Sequence, residues 1–301
     1  MKEELSKETK VWLDNIWRSK QLESVYSDCL HCGKENVEFR RWLLNDGTIK
    51  TLCYCPDCKA KLEEERRKQE EVIRQVEAGK TRQQRRETCG IDAYFMDKDF
   101  SNYEKGWQDK AYNQCLSYAD TFPIGEKSKW FPSLYLWSAE SWGTGKTHLS
   151  CAILHRILDR WTGQMIMNQH GYEVQSSCPW VIFLSEPELF RRIQATYSFS
   201  QEERQMRESE DDIIKSILWA DLVVLDDVGK EKRADQRFIQ RTIFAIIDGR
   251  YKLGLPLILT ANLDPGGLRE HLESASYDRI FEMIQGKSIR MDGMSFRREV
   301  K

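Results

Sequence analysis

The sequence has no apolar run long enough to cross a bilayer, which excludes a helical membrane span. It also lacks charge bias. Its 46 Lys and Arg stand against 48 Asp and Glu, a net charge of −2. Attraction of the whole molecule to a polyanion is therefore excluded, and any contact with nucleic acid needs a local patch. The start, Met1-Lys2-Glu3-Glu4, has no signal-peptide pattern, so a cytoplasmic location is expected. Thiols stay reduced there, and paired cysteines point to a metal rather than to disulfides. What is present is ordinary globular material. The 301 residues, 40% hydrophobic and 31% charged, suffice for one large domain and a small one.

The most informative stretch runs from Leu134 to Leu149. The apolar run Leu134-Tyr135-Leu136-Trp137 reads as a strand, and Gly143 and Gly145 let the next turn come close to a ligand. Lys146 and Thr147 then open a helix with Leu149, Ile153, Ile157 and Trp161 on one face. Strand, Gly143-Thr144-Gly145-Lys146-Thr147-His148 and helix form a phosphate cradle. Backbone N–H groups at a helix start attract anions. Lys146 would reach the β- and γ-phosphates of a nucleotide, and the Thr147 hydroxyl would hold Mg²⁺. The pattern departs from G-x-x-x-x-G-K-[ST] at one place, where Glu140 stands for the first glycine.

Two further strand ends complete a possible site. Asp221-Leu222-Val223-Val224-Leu225-Asp226-Asp227 is a buried strand ending in two carboxylates. Asp226 fits the residue that holds Mg²⁺, and Asp227 is placed to orient or deprotonate a water. Pro256 to Asn262 gives another buried strand, whose Asn262 would sit beside the γ-phosphate. Trp180–Leu184 and Lys287–Met291 read as additional strands. Helices are expected over 102–122, from Ser185-Glu186-Pro187-Glu188, around Phe238 to Ile247, and around Tyr277-Asp278-Arg279-Ile280. Residues 162–179 and 198–212 read as polar loops.

The first third of the chain is different in kind. Residues 1–28 read as an amphipathic helix. Cys29-x-x-Cys32 and Cys55-x-x-Cys58 are two knuckles separated by a hairpin-like segment with Asn45-Asp46-Gly47 at its turn. This is the ligand set of a zinc ribbon. Cys53 is spare and His31 is a weaker candidate. The charged stretch 61–88 carries Glu–Arg and Glu–Lys pairs four apart and reads as a linker helix. Its basic end, Lys80 to Arg86, reads as a solvated linker or as a contact for nucleic acid or an acidic partner.

Taken together, residues 89–301 resemble an AAA+ ATPase of the bacterial and phage replicative-helicase loader type, DnaC- and DnaI-like. Loaders of the DnaI kind also carry an N-terminal zinc-binding domain. The resemblance implies an α/β fold, a P-loop core with a parallel five-stranded sheet covered by helices. It also implies three regions: 1–60 with a helix and zinc domain, a linker helix 61–88, and an ATPase domain 89–301. The implied chemistry is slow ATP hydrolysis with Mg²⁺, with Zn²⁺ in the small domain. The implied partners are a replicative DNA helicase, single-stranded DNA and further copies of the chain. Asn262 would take the sensor I position, Arg279 that of an arginine finger acting on a neighbouring subunit, and Arg297, less closely matched, that of sensor II. Asp227 stands where many relatives of this kind have glutamate. Two other functions fit the same residues: a transposition helper ATPase of the IstB type, and a nucleotide-gated interaction module without turnover.

Overall fold

The computed structural model describes residues 20–35, 37–43, 49–51, 55–104, 106–125, 128–139, 141–168, 170–200, 202, 206–230, 235–293 and 295–296. The chain divides into two compact units, 1–73 and 74–301, with the division inside a long helix.

The first unit holds a three-stranded antiparallel sheet: β1 (Lys20–Ser27), β2 (Val37–Leu43) and β3 (Ile49–Thr51). Residues 20–27 correct the expectation of a helix over 1–28. They pair with β2 through a register shift between Leu22 and Val25, a tertiary partner that periodicity along one segment cannot reveal. Residues 1–19 and the Asn45-Asp46-Gly47 turn lie outside the described residues. Helix α1 (Pro56–Thr88) starts directly after Cys55.

The second unit is an α/β layer structure. Its sheet has the order β10-β4-β9-β8-β7, and every neighbouring pair is parallel. The strands are β4 (Leu134–Trp137), β7 (Val181–Ser185), β8 (Leu222–Val228), β9 (Leu257–Ala261) and β10 (Ser288–Arg290). Successive strand residues face opposite sides, and both sides are buried. Leu134, Leu136, Leu222, Val224 and Ile258 pack with α2 (Asp109–Thr121) and α3 (Lys146–Arg160). Tyr135, Val223, Leu225, Leu257 and Leu259 face the other side. There they meet α4 (Glu186–Tyr197), α5 (Glu210–Trp219), α6 (Gln236–Leu253), α7 (Pro265–Leu272) and α8 (Ser274–Ile284). The parallel five-stranded sheet expected from the sequence is thus present.

Two segments differ from the sequence reading. Residues 162–179 contain a two-stranded antiparallel ribbon, β5 (Met165–Met167) and β6 (Glu173–Gln175), rather than a plain loop. Residues 210–212 belong to α5, whose start is fixed by a reciprocal Ser209–Asp212 capping box. Their acidic side chains suit a helix N-terminus as well as they suit a loop.

Arg250 on α6 is fully buried. It donates to the carbonyls of Ile217 (2.5 Å), Ala220 (2.9 Å) and Pro256 (2.6 Å). It thereby satisfies the end of α5 and the approach to β9 with one side chain. Burial lowers its pKa to about 9, which leaves it charged at neutral pH. Arg250→Met strands three carbonyls and is expected to destabilise this unit by about 3 kcal/mol. The check is the midpoint of urea unfolding, which falls with little change in slope. An unchanged midpoint would contradict this role.

Candidate functional site

The loop after β4 is shaped by a tyrosine that precedes it by some forty residues. Gly145 has φ of 90° and caps α3. A Cβ there would lie 2.7 Å from the Tyr103 hydroxyl. Tyr103 also donates to the Thr144 carbonyl at 3.4 Å, and its ring meets His148 edge-on at 4.9 Å. Gly145 is therefore glycine on two counts: a left-handed backbone and no room for a side chain. Among the described residues, no side chain caps the start of α3. From the other side, the Phe296 N–H donates to the Gly143 carbonyl at 3.1 Å.

Lys146 is buried, at 6% exposure. Its ammonium donates to Ser138 Oγ at 2.7 Å and Asn262 Oδ1 at 2.8 Å. Ser138 follows β4 and Asn262 follows β9, and these strands are direct neighbours. The sheet register, not the loop alone, places the lysine.

The carboxylates come from a bulge. The β8–β9 register shifts between Leu225 and Val228, and Asp227 adopts a left-handed φ of 58°. Its N–H donates to Thr260 Oγ1 at 3.0 Å. Such an irregularity re-aims side chains at the end of a strand. Asp226 turns inward, where it accepts from Thr260 Oγ1 (2.5 Å) and Thr147 Oγ1 (3.0 Å). Asp227 turns toward solvent and pairs with Lys230 at 2.7 Å. Burial, then the neighbouring Asp227 charge, raises the Asp226 pKa to about 6, against the Thr260 and Thr147 hydrogen bonds and Lys146.

These residues share one cleft of about 150 Å³. Gly143, Thr144, Gly145, Lys146, Thr147 and His148 line it, facing Asp227 and Asn262. Asp226 joins through Thr147. Tyr94, Phe95, Lys98, Trp142, Lys230 and Phe296 also line it. The sequence reading did not assign Ser138, Thr260, Tyr103 or Lys230 to this place. Ser138 and Thr260 were findable, since each stands at the carboxyl end of a strand whose later residues were already assigned. Tyr103 and Lys230 carry no such signal. His148 lines the cleft, but its Nε2 engages the Asp99 carbonyl at 2.9 Å, and burial lowers its pKa. A larger groove of about 540 Å³ lies elsewhere, between α2 and β10, and contains none of these groups.

Arg279 is not in this cleft. It pairs with Asp248 at 3.1 Å and lies over the rings of Phe244 and Tyr251. Glu140, Arg297 and Cys53 lie outside the described residues.

In the first unit, the thiols of Cys29, Cys32, Cys55 and Cys58 all fall within 4.8 Å of one another. Cys32 and Cys55 Sγ are 3.6 Å apart. A tetrahedron of about 2.3 Å metal–sulfur bonds has edges near ~3.8 Å, so the set fits a tetrahedral thiolate site. His31 is not part of this group. The Cys55 N–H donates to Cys29 Sγ at 3.2 Å and is the leading cause of a pKa lowered to about 6. Burial raises that of Cys58 to about 12.

No protein-family model and no curated protein matches the sequence. Among solved structures, the fold is similar to that of DnaI, with 23% identity over 68% of this chain and 93% of that one, TM-score 0.47. The DnaC helicase loader gives 20% identity, 67% and 100% coverage, and TM-score 0.47. The replication initiator DnaA bound to AMPPCP and single-stranded DNA gives 18% identity, 65% and 50% coverage, and TM-score 0.46.

The raised Asp226 pKa has a stability consequence. The native state holds this proton up to pH of about 6 and the unfolded chain only to about 4. Stability contributed by the protonated form is present below pH 4 and lost as pH rises to 6. Asp226→Asn keeps the shape without the charge. It is expected to raise the melting temperature of the ligand-free protein at pH 7.5 and to flatten its fall between pH 4 and 6. A lower melting temperature at pH 7.5 would contradict the burial cost.

Proposed function

We propose that this chain binds Mg²⁺–ATP in the cleft between the Gly143–Thr147 loop and the end of β8, and hydrolyses it slowly. The observation that supports this most is the convergence of three separate segments on one small polar cleft, Lys146 and Thr147 from the start of α3, Asn262 after β9, and Asp226 of β8 joined through Thr147. The donor set fits the metal. A hydroxyl and a carboxylate are hard oxygen ligands, and a buried carboxylate with a raised pKa gains most from a nearby cation. Mg²⁺ at Thr147 and Asp226 would neutralise charge on the β- and γ-phosphate oxygens.

The remaining roles belong to the chain's own groups. The N–H groups of the loop and of the start of α3 bind the phosphates, and the Lys146 ammonium bridges the outer two. Asn262 and Asp227 hold a water in line with the γ-phosphorus, and Asp227 takes its proton. The water oxygen bonds to the γ-phosphorus as the bond from that phosphorus to the bridging oxygen breaks; phosphate forms, and ADP leaves with the electron pair. Arg279 is the candidate to complete the site of a neighbouring copy, from outside its own cleft.

The work this cycle performs is, in this reading, the loading of a replicative helicase onto single-stranded DNA. The order of phosphate loop, Asp-Asp strand, Asn strand and Tyr277-Asp278-Arg279-Ile280 supports it, together with a four-thiolate unit at the other end of the chain. That unit holds Zn²⁺ through Cys29, Cys32, Cys55 and Cys58, and metal supplies stability that so small a region cannot obtain from core burial.

Two experiments test this reading. Phosphate release by wild-type protein is expected to rise with single-stranded DNA, and Lys146→Ala is expected to lower it by about 10²-fold or more. Normal turnover in Lys146→Ala would refute the site, and capture of a transposase instead of a helicase would refute the loader role. Elemental analysis is expected to give about one zinc per chain, lost in Cys55→Ser. A folded wild-type protein free of metal would end the zinc assignment.

A further inference from the structure

Asp227 does not end the acidic strand alone. Asp227, Val228, Gly229 and Lys230 form a turn closed by the Lys230 N–H on the Asp227 carbonyl at 3.2 Å. Gly229 has φ of 83°, the conformation that the third position of a type II turn reserves for glycine. The turn is pinned from beneath. The Gly229 N–H donates to Glu186 Oε2 at 2.7 Å, and Glu186 Oε1 meets His271 Nε2 at 2.6 Å. Glu186 is fully buried. Backbone position is therefore fixed by α4 and α7, while the Lys230 side chain, 53% exposed, is free to change partner.

That side chain stands between a carboxylate partner and the cleft. In this structure its ammonium pairs with Asp227 Oδ2 at 2.7 Å. It also lines the same cleft as Lys146, Thr147 and Asn262. A partly exposed Lys–carboxylate pair is weak and exchangeable. A terminal phosphate carries more charge and more acceptor oxygens than one carboxylate, so it competes well for the ammonium.

We propose that Lys230 distinguishes a nucleoside triphosphate from a diphosphate in this cleft. Its ammonium leaves Asp227 for the γ-phosphate, and the departure frees the Asp227 carboxylate to hold the attacking water. This rests on the nucleotide site proposed above and goes beyond it. The lysine couples the presence of the γ-phosphate to the release of the residue that acts on it. Without a γ-phosphate, Lys230 keeps Asp227 occupied. Lys215 on α5 pairs with Asp211 at 3.5 Å as another exposed lysine–carboxylate pair and does not line the cleft, and it serves as the comparison.

The experiment compares Mg²⁺–ATP and Mg²⁺–ADP affinities in wild type, Lys230→Ala, Lys230→Arg and Lys215→Ala, with unfolding temperatures recorded to confirm folding. Lys230→Ala is expected to weaken ATP about tenfold, the scale of one charge-assisted contact, and to leave ADP within about twofold. Lys230→Arg is expected to restore most of the ATP preference, and Lys215→Ala to leave the ATP-to-ADP ratio as in wild type. Equal losses for both nucleotides, no loss in Lys230→Ala, or the same change of ratio in Lys215→Ala would overturn the assignment. Wild-type protein that binds neither nucleotide would overturn the phosphate site itself, and the role of Lys230 with it.

Discussion

A buried carboxylate held between two hydroxyls organises the second unit. Asp226 takes one hydrogen bond from Thr260 on β9 and another from Thr147 on α3, and Lys146 is close enough to oppose its raised pKa. Three elements thus meet at one ionisable group. Its placement needs the bulge in the β8–β9 ladder, and the bulge needs the Thr260 hydroxyl to accept the Asp227 N–H in place of a ladder carbonyl. A single side chain on β9 therefore sets both the inward aim of Asp226 and the outward aim of Asp227. The cost of burying Asp226 is tolerated because the fold around it is large and apolar on both faces of the sheet. Such a cost is usual where a site is built to receive a charged ligand.

The loop on the other side of the cleft has its own supports. Tyr103 closes over Gly145 and Thr144, and Phe296 holds the Gly143 carbonyl. A segment before the sheet and a segment after it therefore clamp the loop from two directions. Both are anchored nearby. Tyr103 packs near Tyr112 on α2, and the Gln108 amide donates to the Asp292 carbonyl at 2.5 Å. Preorganisation of this kind matters for an anion site, because N–H groups already aimed at the ligand need little rearrangement when it binds.

Much of this is legible in the amino-acid sequence. Val181–Leu184, Leu222–Leu225 and Leu257–Leu259 are unbroken apolar runs, and strands buried on both faces require them. The spacing of Gly143, Gly145, Lys146 and Thr147 is a local pattern with a local physical meaning. The two C-x-x-C pairs picked out the four clustered thiols for the same reason. What was not legible depends on partners distant in the chain. The strand at 20–27 exists because β2 lies beside it. The bulge at Asp226 depends on β9, and the Tyr103 contact on a loop forty residues later. The helix from Glu210 was hidden because its three acidic residues resemble a solvated loop until Ser209 is seen capping it. Lys230 had no marker at all, since its meaning comes only from the direction in which a pinned turn points it.

The central claim is that the Gly143–Thr147 loop and the acidic end of β8 act as one site. The most direct measurement is a double-mutant cycle on Mg²⁺–ATP affinity with Thr147→Val, Asp226→Asn and the pair. If both side chains serve one metal ion, the double variant loses little more than the worse single variant, a coupling of about 1 kcal/mol or more. Strictly additive losses would show that the two groups act separately, and would contradict the account.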